Sequence, residues 1–169
     1  MEFKTIHSCF TQDLSKLSAI TPNKSSENSS RHWLVKFAPF RTPWIEIVKR
    51  GTFTLRGVRS SAARKHLSNM RLDDAVLYYH SQQELAVMGI MKVTREAYSD
   101  PTSSDPHWLT CDFSPVRTLD DPISLTAIKA DPRLATLSLI RQPRLAVMPV
   151  TSAQFQIIVD DLPRTWLAH

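Results

Sequence analysis

Eight of the chain's 21 lysines and arginines fall between Arg41 and Arg71 (Arg41, Lys49, Arg50, Arg56, Arg59, Arg64, Lys65 and Arg71), where the one acid is Glu46. That window carries +7, whereas the whole chain of 169 residues carries +5, so the excess charge is local. Charge concentrated in this way selects an anionic partner, most simply nucleic acid. Inside the window, the phrase Leu55-Arg56-Gly57-Val58-Arg59-Ser60-Ser61-Ala62-Ala63-Arg64 sets Arg59 after a glycine turn and ahead of a helix start, with Arg64 on the helix behind it. A guanidinium and backbone N–H groups in that setting can hold one phosphate; a surface ion pair is the ordinary alternative for Arg59. Lys36 closes a strand beside a turn, as a phosphate contact or a snorkelling side chain. Phe37, next to it, can stack on a base or pack into a core. Arg141 and Arg144 flank Pro143, which keeps the segment extended, and either can supply a second phosphate contact or stay solvated. His80-Ser81, at a strand end, offers hydrogen bonds to a base edge, or else a histidine that ties the strand to the next loop.

Other chemistries lack their residues. Neighbours on a strand point to opposite faces, so His80 and Ser81 cannot meet as base and nucleophile. Cys9 and Cys111 are isolated, with no His-x-Glu and cysteine pair of the zinc deaminase kind and no Cys/His set at zinc spacing. Phosphate-loop and dinucleotide glycine signatures are absent from a chain with three glycines. No enzyme, metal or cofactor is therefore expected. The longest apolar runs fall far short of the roughly 18 residues of a membrane span. The cysteine usage and the lack of a visible secretory signal point to a reducing, cytoplasmic setting without a disulfide.

The elements that must position these residues begin near Arg31. Residues 21–30 contain no aliphatic or aromatic core former, so 1–30 is expected to be a poorly ordered extension and 31–169 a single domain. His32–Phe37 reads as a strand stopped by Pro39. A helix follows, with Thr42 as cap, Pro43 at its first position, Trp44, Ile45 and Val48 on its apolar side, and Gly51 at its end. Ser60 or Ser61 caps a second helix whose Ala63, Leu67 and Met70 face inward. Ala75–His80 and Leu85–Val93 form a hairpin across Ser81–Glu84, and Trp108–Phe113 is a third strand after a loop over residues 98–106. Ser124 opens a short helix, Leu145–Met148 is a brief strand, and Thr151–Gln154 is a capping box before a final helix. Strands in the middle with short helices at the edges, lacking regular alternation, make an α+β domain with a curled or barrel-like sheet.

Several phrases, in this order along the chain, resemble the EVE domain family of the PUA-like superfamily. They are Trp33-Leu34-Val35-Lys36 with Pro39; Gly57-Val58-Arg59; Ala63-Arg64; Val76-Leu77-Tyr78-Tyr79-His80-Ser81; Gly89-Ile90; Arg95-Glu96-Ala97-Tyr98-Ser99-Asp100-Pro101-Thr102; and the run Leu139-Ile140-Arg141-Gln142-Pro143-Arg144-Leu145-Ala146-Val147-Met148-Pro149-Val150. The resemblance implies a PUA-like fold, mainly antiparallel and curled into a sheet or small barrel with short peripheral helices. It also implies a pocket for a modified nucleobase and no catalytic activity. Family members frame that pocket with Lys-Ser-Glu-Pro, Trp-Asp-Gly-Val-Arg-Asn, Tyr-His-Ser and Arg-Leu-Ser-Val segments. Here Phe37-Ala38 replaces the Ser-Glu pair, Leu55-Arg56 replaces Trp-Asp, Ser60 stands for the asparagine and Ala146 for the serine. Base edges are read by paired donors and acceptors, so these exchanges alter ligand preference. Arg56 in place of an acid reverses the local charge and favours a phosphate or carboxylate.

The resulting expectation is a monomeric, non-enzymatic module that binds nucleic acid, DNA or RNA, and presents one extruded or modified base to a pocket flanked by basic residues. The rival reading is a sensor that takes an anionic aromatic small molecule such as a free nucleotide.

Overall fold

The computed structural model describes residues 31–162. The expectations for residues 1–30, including any pairing of Cys9, lie outside the described residues. Strand β1 (His32–Phe37) leads into helix α1 (Trp44–Arg50), the two-residue strand β2 (Phe53–Thr54) and helix α2 (Ser61–Asn69). Three strands follow, β3 (Ala75–His80), β4 (Ala86–Ser99) and β5 (Leu109–Ser124). Helix α3 (Leu125–Ala130), a 3-10 turn at Pro132–Leu134, helix α4 (Ser138–Arg141), strand β6 (Val147–Val150) and helix α5 (Ser152–Gln156), which runs on into a wider turn through Asp161, complete the domain.

The six strands form one sheet in the order β2-β5-β4-β3-β1-β6, antiparallel throughout except for β1 beside β3. The sheet curls without closing: among the described residues β2 and β6 remain its two edges, which corrects the barrel alternative. Register shifts in the β4–β5 pair at Val87/Gly89, Ile90/Met91, Val93/Arg95 and Arg95/Tyr98 supply the bend, since each bulge adds local twist. They also let β5 continue past Pro115, where the sequence suggested a stop at Phe113; a proline is tolerated where the ladder is already broken. Pro149 is accommodated for a related reason, because β6 is an edge strand with one free side. That edge places β6 two residues later than Leu145–Met148.

The buried side chains form one continuous core that includes Leu34, Ile47, Leu67, Tyr78, Met91 and Phe113, and because consecutive residues of β1 (Trp33–Val35) and β3 (Val76–Tyr79) are all buried, both faces of the sheet's centre are covered. Helix α2 sits as its pattern requires: the Ser60 hydroxyl accepts from the Ala63 N–H at 3.4 Å, and Ala63, Leu67 and Met70 are buried. The capping box at Thr151 is likewise formed in both directions. In α1 the buried residues are Trp44 and Ile47, whereas Ile45 and Val48 are exposed. The helix is therefore rotated from the expected face, and the Thr42 side chain does not cap it. Its first free N–H, that of Trp44, donates instead to Nε2 of His80 at 3.1 Å.

Candidate functional site

Strand β1 ends at Phe37 and the chain turns through Phe40 and Arg41, while β2 runs on through Leu55 into the loop ahead of α2. These segments and residues 144–146 enclose a cavity of about 460 Å³. Its wall contains Lys36, Arg41, Arg56, Arg59 and Arg144, together with Phe37, Phe40, Leu55, Ser60 and Gln82, and no carboxylate. Among the described residues none of those five cations has an acid within 4 Å. The wall is positively charged throughout, with the aromatic faces of Phe37 and Phe40 beside the cations.

The loop carrying Arg56 and Arg59 is built around Gly57, whose φ of 76° lies in the left-handed region that disfavours residues with a side chain. Its N–H donates to Oδ2 of Asp100 at 3.3 Å. Asp100 is almost wholly buried and also receives the Thr102 N–H and hydroxyl at 2.9 and 2.6 Å. The Thr102 hydroxyl foremost, then the Thr102 and Gly57 amides and the Arg56 charge, hold its carboxyl below the usual range against the opposing effect of burial. Arg59 lies with its guanidinium carbon 4.2 Å from the ring centre of Trp108, which fixes it without neutralising it. The Lys36 ammonium donates to the Pro143 carbonyl, and the Lys36 backbone N–H donates to the Ala146 carbonyl at 2.8 Å. Burial pushes the Lys36 pKa down from its ordinary value. Phe37 packs edge-on against Phe53, with ring centres 5.3 Å apart, and still faces the cavity.

The structure thus brings Lys36, Phe37, Arg56, Arg59, Ser60 and Arg144 together in one wall. Ser81 lies in an adjoining cavity that shares Lys36 and Arg144. Arg64, His80 and Arg141 lie in the wall of neither. The Arg64 Nη1 donates to the His107 carbonyl at 2.8 Å, and its Nε is buried without a partner. Arg141 is exposed and donates from Nε to the Ala135 carbonyl at 3.3 Å. His80 is 3% exposed, and both its ring nitrogens are used inside the protein. Nε2 accepts from the Trp44 N–H, and Nδ1 meets the Glu84 carboxylate. It therefore ties β3 to the next loop rather than facing a ligand. Sequence reasoning missed Phe40, Gln82, Asp100 and Trp108 as parts of the site, and counted Arg41 only in the charge run. The Asp-Pro-Thr order was the one local signal available, as an aspartate that accepts from the amide two residues on.

A family model described as the EVE domain matches residues 31–161. The chain belongs to the EVE domain family. Thymocyte nuclear protein 1 of Mus musculus is 28% identical over 174 residues, spanning 83% of this chain and 77% of the mouse protein. Among solved structures, a Rhodopseudomonas palustris protein determined by NMR is 36% identical with a TM-score of 0.73, covering 76% of this chain and 90% of its own. The human THYN1 protein, solved in complex with 5-methylcytosine-containing DNA, is 26% identical with a TM-score of 0.69, covering 77% and 96%. The curled mixed sheet with short helices is the architecture of these EVE structures. Among the described residues, no group of three or more His, Cys, Asp or Glu is placed to hold a metal ion, and no helix is long and apolar enough to cross a membrane. The thiol of buried Cys111 is pushed up to about 12 by burial, with the Asp112 and Glu96 charges adding to the effect, which makes it a poor nucleophile.

Proposed function

We propose that this EVE domain binds nucleic acid without catalysing a reaction, and that it takes one extruded or modified base into the cavity between Lys36, Arg56, Arg59 and Arg144. The observation that carries the reading is a cavity wall with five cations, two phenylalanines and no carboxylate. The DNA complex of the human relative supports the class of partner. Phosphate contacts supply most of the affinity, and the rings of Phe37 and Phe40 supply a face for the base. Arg56 sets the preference at the base edge: a guanidinium only donates, so an edge rich in acceptors suits it better than the edge an acidic side chain would read.

Arg56 is also the observation that favours a second reading, a free nucleotide whose own phosphate occupies the cavity. Binding of the full chain to modified and unmodified single- and double-stranded oligonucleotides at two salt concentrations, beside a thermal-shift panel of free nucleotides, separates the two. The nucleic-acid reading expects tight, steeply salt-dependent oligonucleotide binding with a preference among modified bases. A rise in melting temperature with mononucleotides together with no oligonucleotide binding would replace it with the sensor reading.

A further inference from the structure

A second cavity, of about 430 Å³, adjoins the first and nearly equals it in size. Lys36, Gln82, Arg144 and Ala146 line both, so these residues form a partition between two connected spaces. Beyond the partition the second wall carries four leucines (Leu85, Leu125, Leu139 and Leu145) with Tyr79, Ser81 and Pro143, and its only charged side chains are the two partition cations. Both volumes fall in the range of small-ligand sites.

A leucine-bearing slot whose only charges stand at its junction with a cationic slot matches two planar rings joined through a phosphate. We propose that the second cavity takes the base next in sequence to the one held in the first, laid against the leucines, while Lys36 and Arg144 hold the phosphodiester between them. The inference rests on the nucleic-acid reading above and extends it to a dinucleotide step. The partition is equipped for that task. Lys36 spends one of its three ammonium hydrogens on the Pro143 carbonyl, and Arg144 is exposed with no acid within 4 Å among the described residues. Tyr79, Ser81 and Gln82 are the uncharged polar side chains of that wall, beside the leucines that meet the face of the second base. The turn itself is held open in an unusual backbone: Gln82, Glu84 and Leu85 all have positive φ, at 72°, 66° and 41°, and Glu84 is fastened to His80. Non-glycine residues persist in that region only where surrounding contacts over-determine them, as at ligand sites.

Calorimetric titration of the full chain with four probes tests this. They are 5-methyl-2′-deoxycytidine 5′-monophosphate, the corresponding 3′,5′-bisphosphate, and the dinucleotides in which that nucleoside is joined to thymidine on either side. The bisphosphate carries the second phosphate without the second ring. One polarity of dinucleotide is expected to bind about tenfold tighter than the bisphosphate, the order of gain from removing one ring face from water against an apolar wall. Leu85→Asn suits the left-handed backbone there and removes apolar wall without adding charge; it is expected to bring the dinucleotide-to-bisphosphate ratio toward one. Equal affinity for bisphosphate and both dinucleotides, or a ratio that Leu85→Asn does not move, overturns the second ring site. If longer 5-methylcytosine oligonucleotides still bind in that case, the parent reading stands; if no probe or oligonucleotide binds, both fall.

Discussion

The indole of Trp44 occupies the place that a side chain at Gly89 would take: a Cβ there would lie 2.1 Å from Trp44 Cζ2. The ring cannot swing aside, because it is buried, its Nε1 donates to Thr118 at 3.1 Å and it packs 5.5 Å from the Tyr78 ring. Gly89→Ala is therefore expected to destabilise the domain by about 3 kcal/mol through overpacking. Urea denaturation reads this directly, and an unchanged midpoint would show that α1 is free to shift away from β4.

Asp100 gives the pocket loop a pH dependence. Its folded carboxyl titrates below the ordinary value, with the Thr102 hydroxyl as the largest cause. A depressed carboxylate contributes stability above its unfolded pKa and loses it as pH falls through the folded one, so the contribution is present at neutral pH and fades below about pH 4. Asp100→Asn is expected to be less stable than the parent at pH 7 and to converge with it on acidification. Parallel stability curves from pH 7 to pH 3 would assign the carboxylate no such role.

How far these relationships were legible depended on whether the deciding contacts were local. Helix α2 could be read because Ser60 caps it and Ala63, Leu67 and Met70 repeat on one side. Helix α1 was misjudged because Trp44/Ile47 and Ile45/Val48 are neighbouring pairs of equal spacing, and only the position of β4, with bare Gly89, decides which faces in. Strand β5 looked finished at Pro115 because the bulges that accommodate the proline are set by its partner strand. In the site, Arg56, Arg59 and Ser60 are one local phrase, and Lys36, Phe37 and Arg144 were found beside them. Gln82 reaches the cavity from the β3–β4 turn, and Asp100, in the β4–β5 loop, supports its wall from behind through a bond to Gly57 that spans 43 residues. His80 offered a polar side chain at a strand end, and nothing local showed that Trp44 and Glu84 would claim both its nitrogens.

The His80 pairings predict a defined tautomer. A backbone N–H can only donate, so Nε2 accepts from Trp44 and the ring proton sits on Nδ1, facing Glu84. Nitrogen NMR of the folded protein near neutral pH is expected to show an unprotonated Nε2 on His80. His80→Ala leaves the Trp44 amide buried without a partner and is expected to be less stable by about 1–3 kcal/mol. A proton found on Nε2 would refute the arrangement.

The arginines that share the cavity and the one outside it should separate in their salt dependence. Arg59 and Arg144 line the cavity without an acid partner, whereas exposed Arg141 lies in neither cavity wall and is turned to the Ala135 carbonyl. Each phosphate contact releases counterions, so losing one lowers the slope of log affinity against log salt by about 0.9 on duplex DNA and about 0.7 on a single strand. Arg59→Ala and Arg144→Ala are each expected to weaken binding and to flatten the slope by that amount, and Arg141→Ala to leave the slope near the parent value. Combining Arg59→Ala with Arg144→Ala should flatten it by about two contacts, the outcome that a separate phosphate for each residue predicts. Affinity lost at constant slope would mean that these side chains act on the base or on the fold. A slope that Arg141→Ala flattens as much as Arg59→Ala would move the phosphate path away from the cavity.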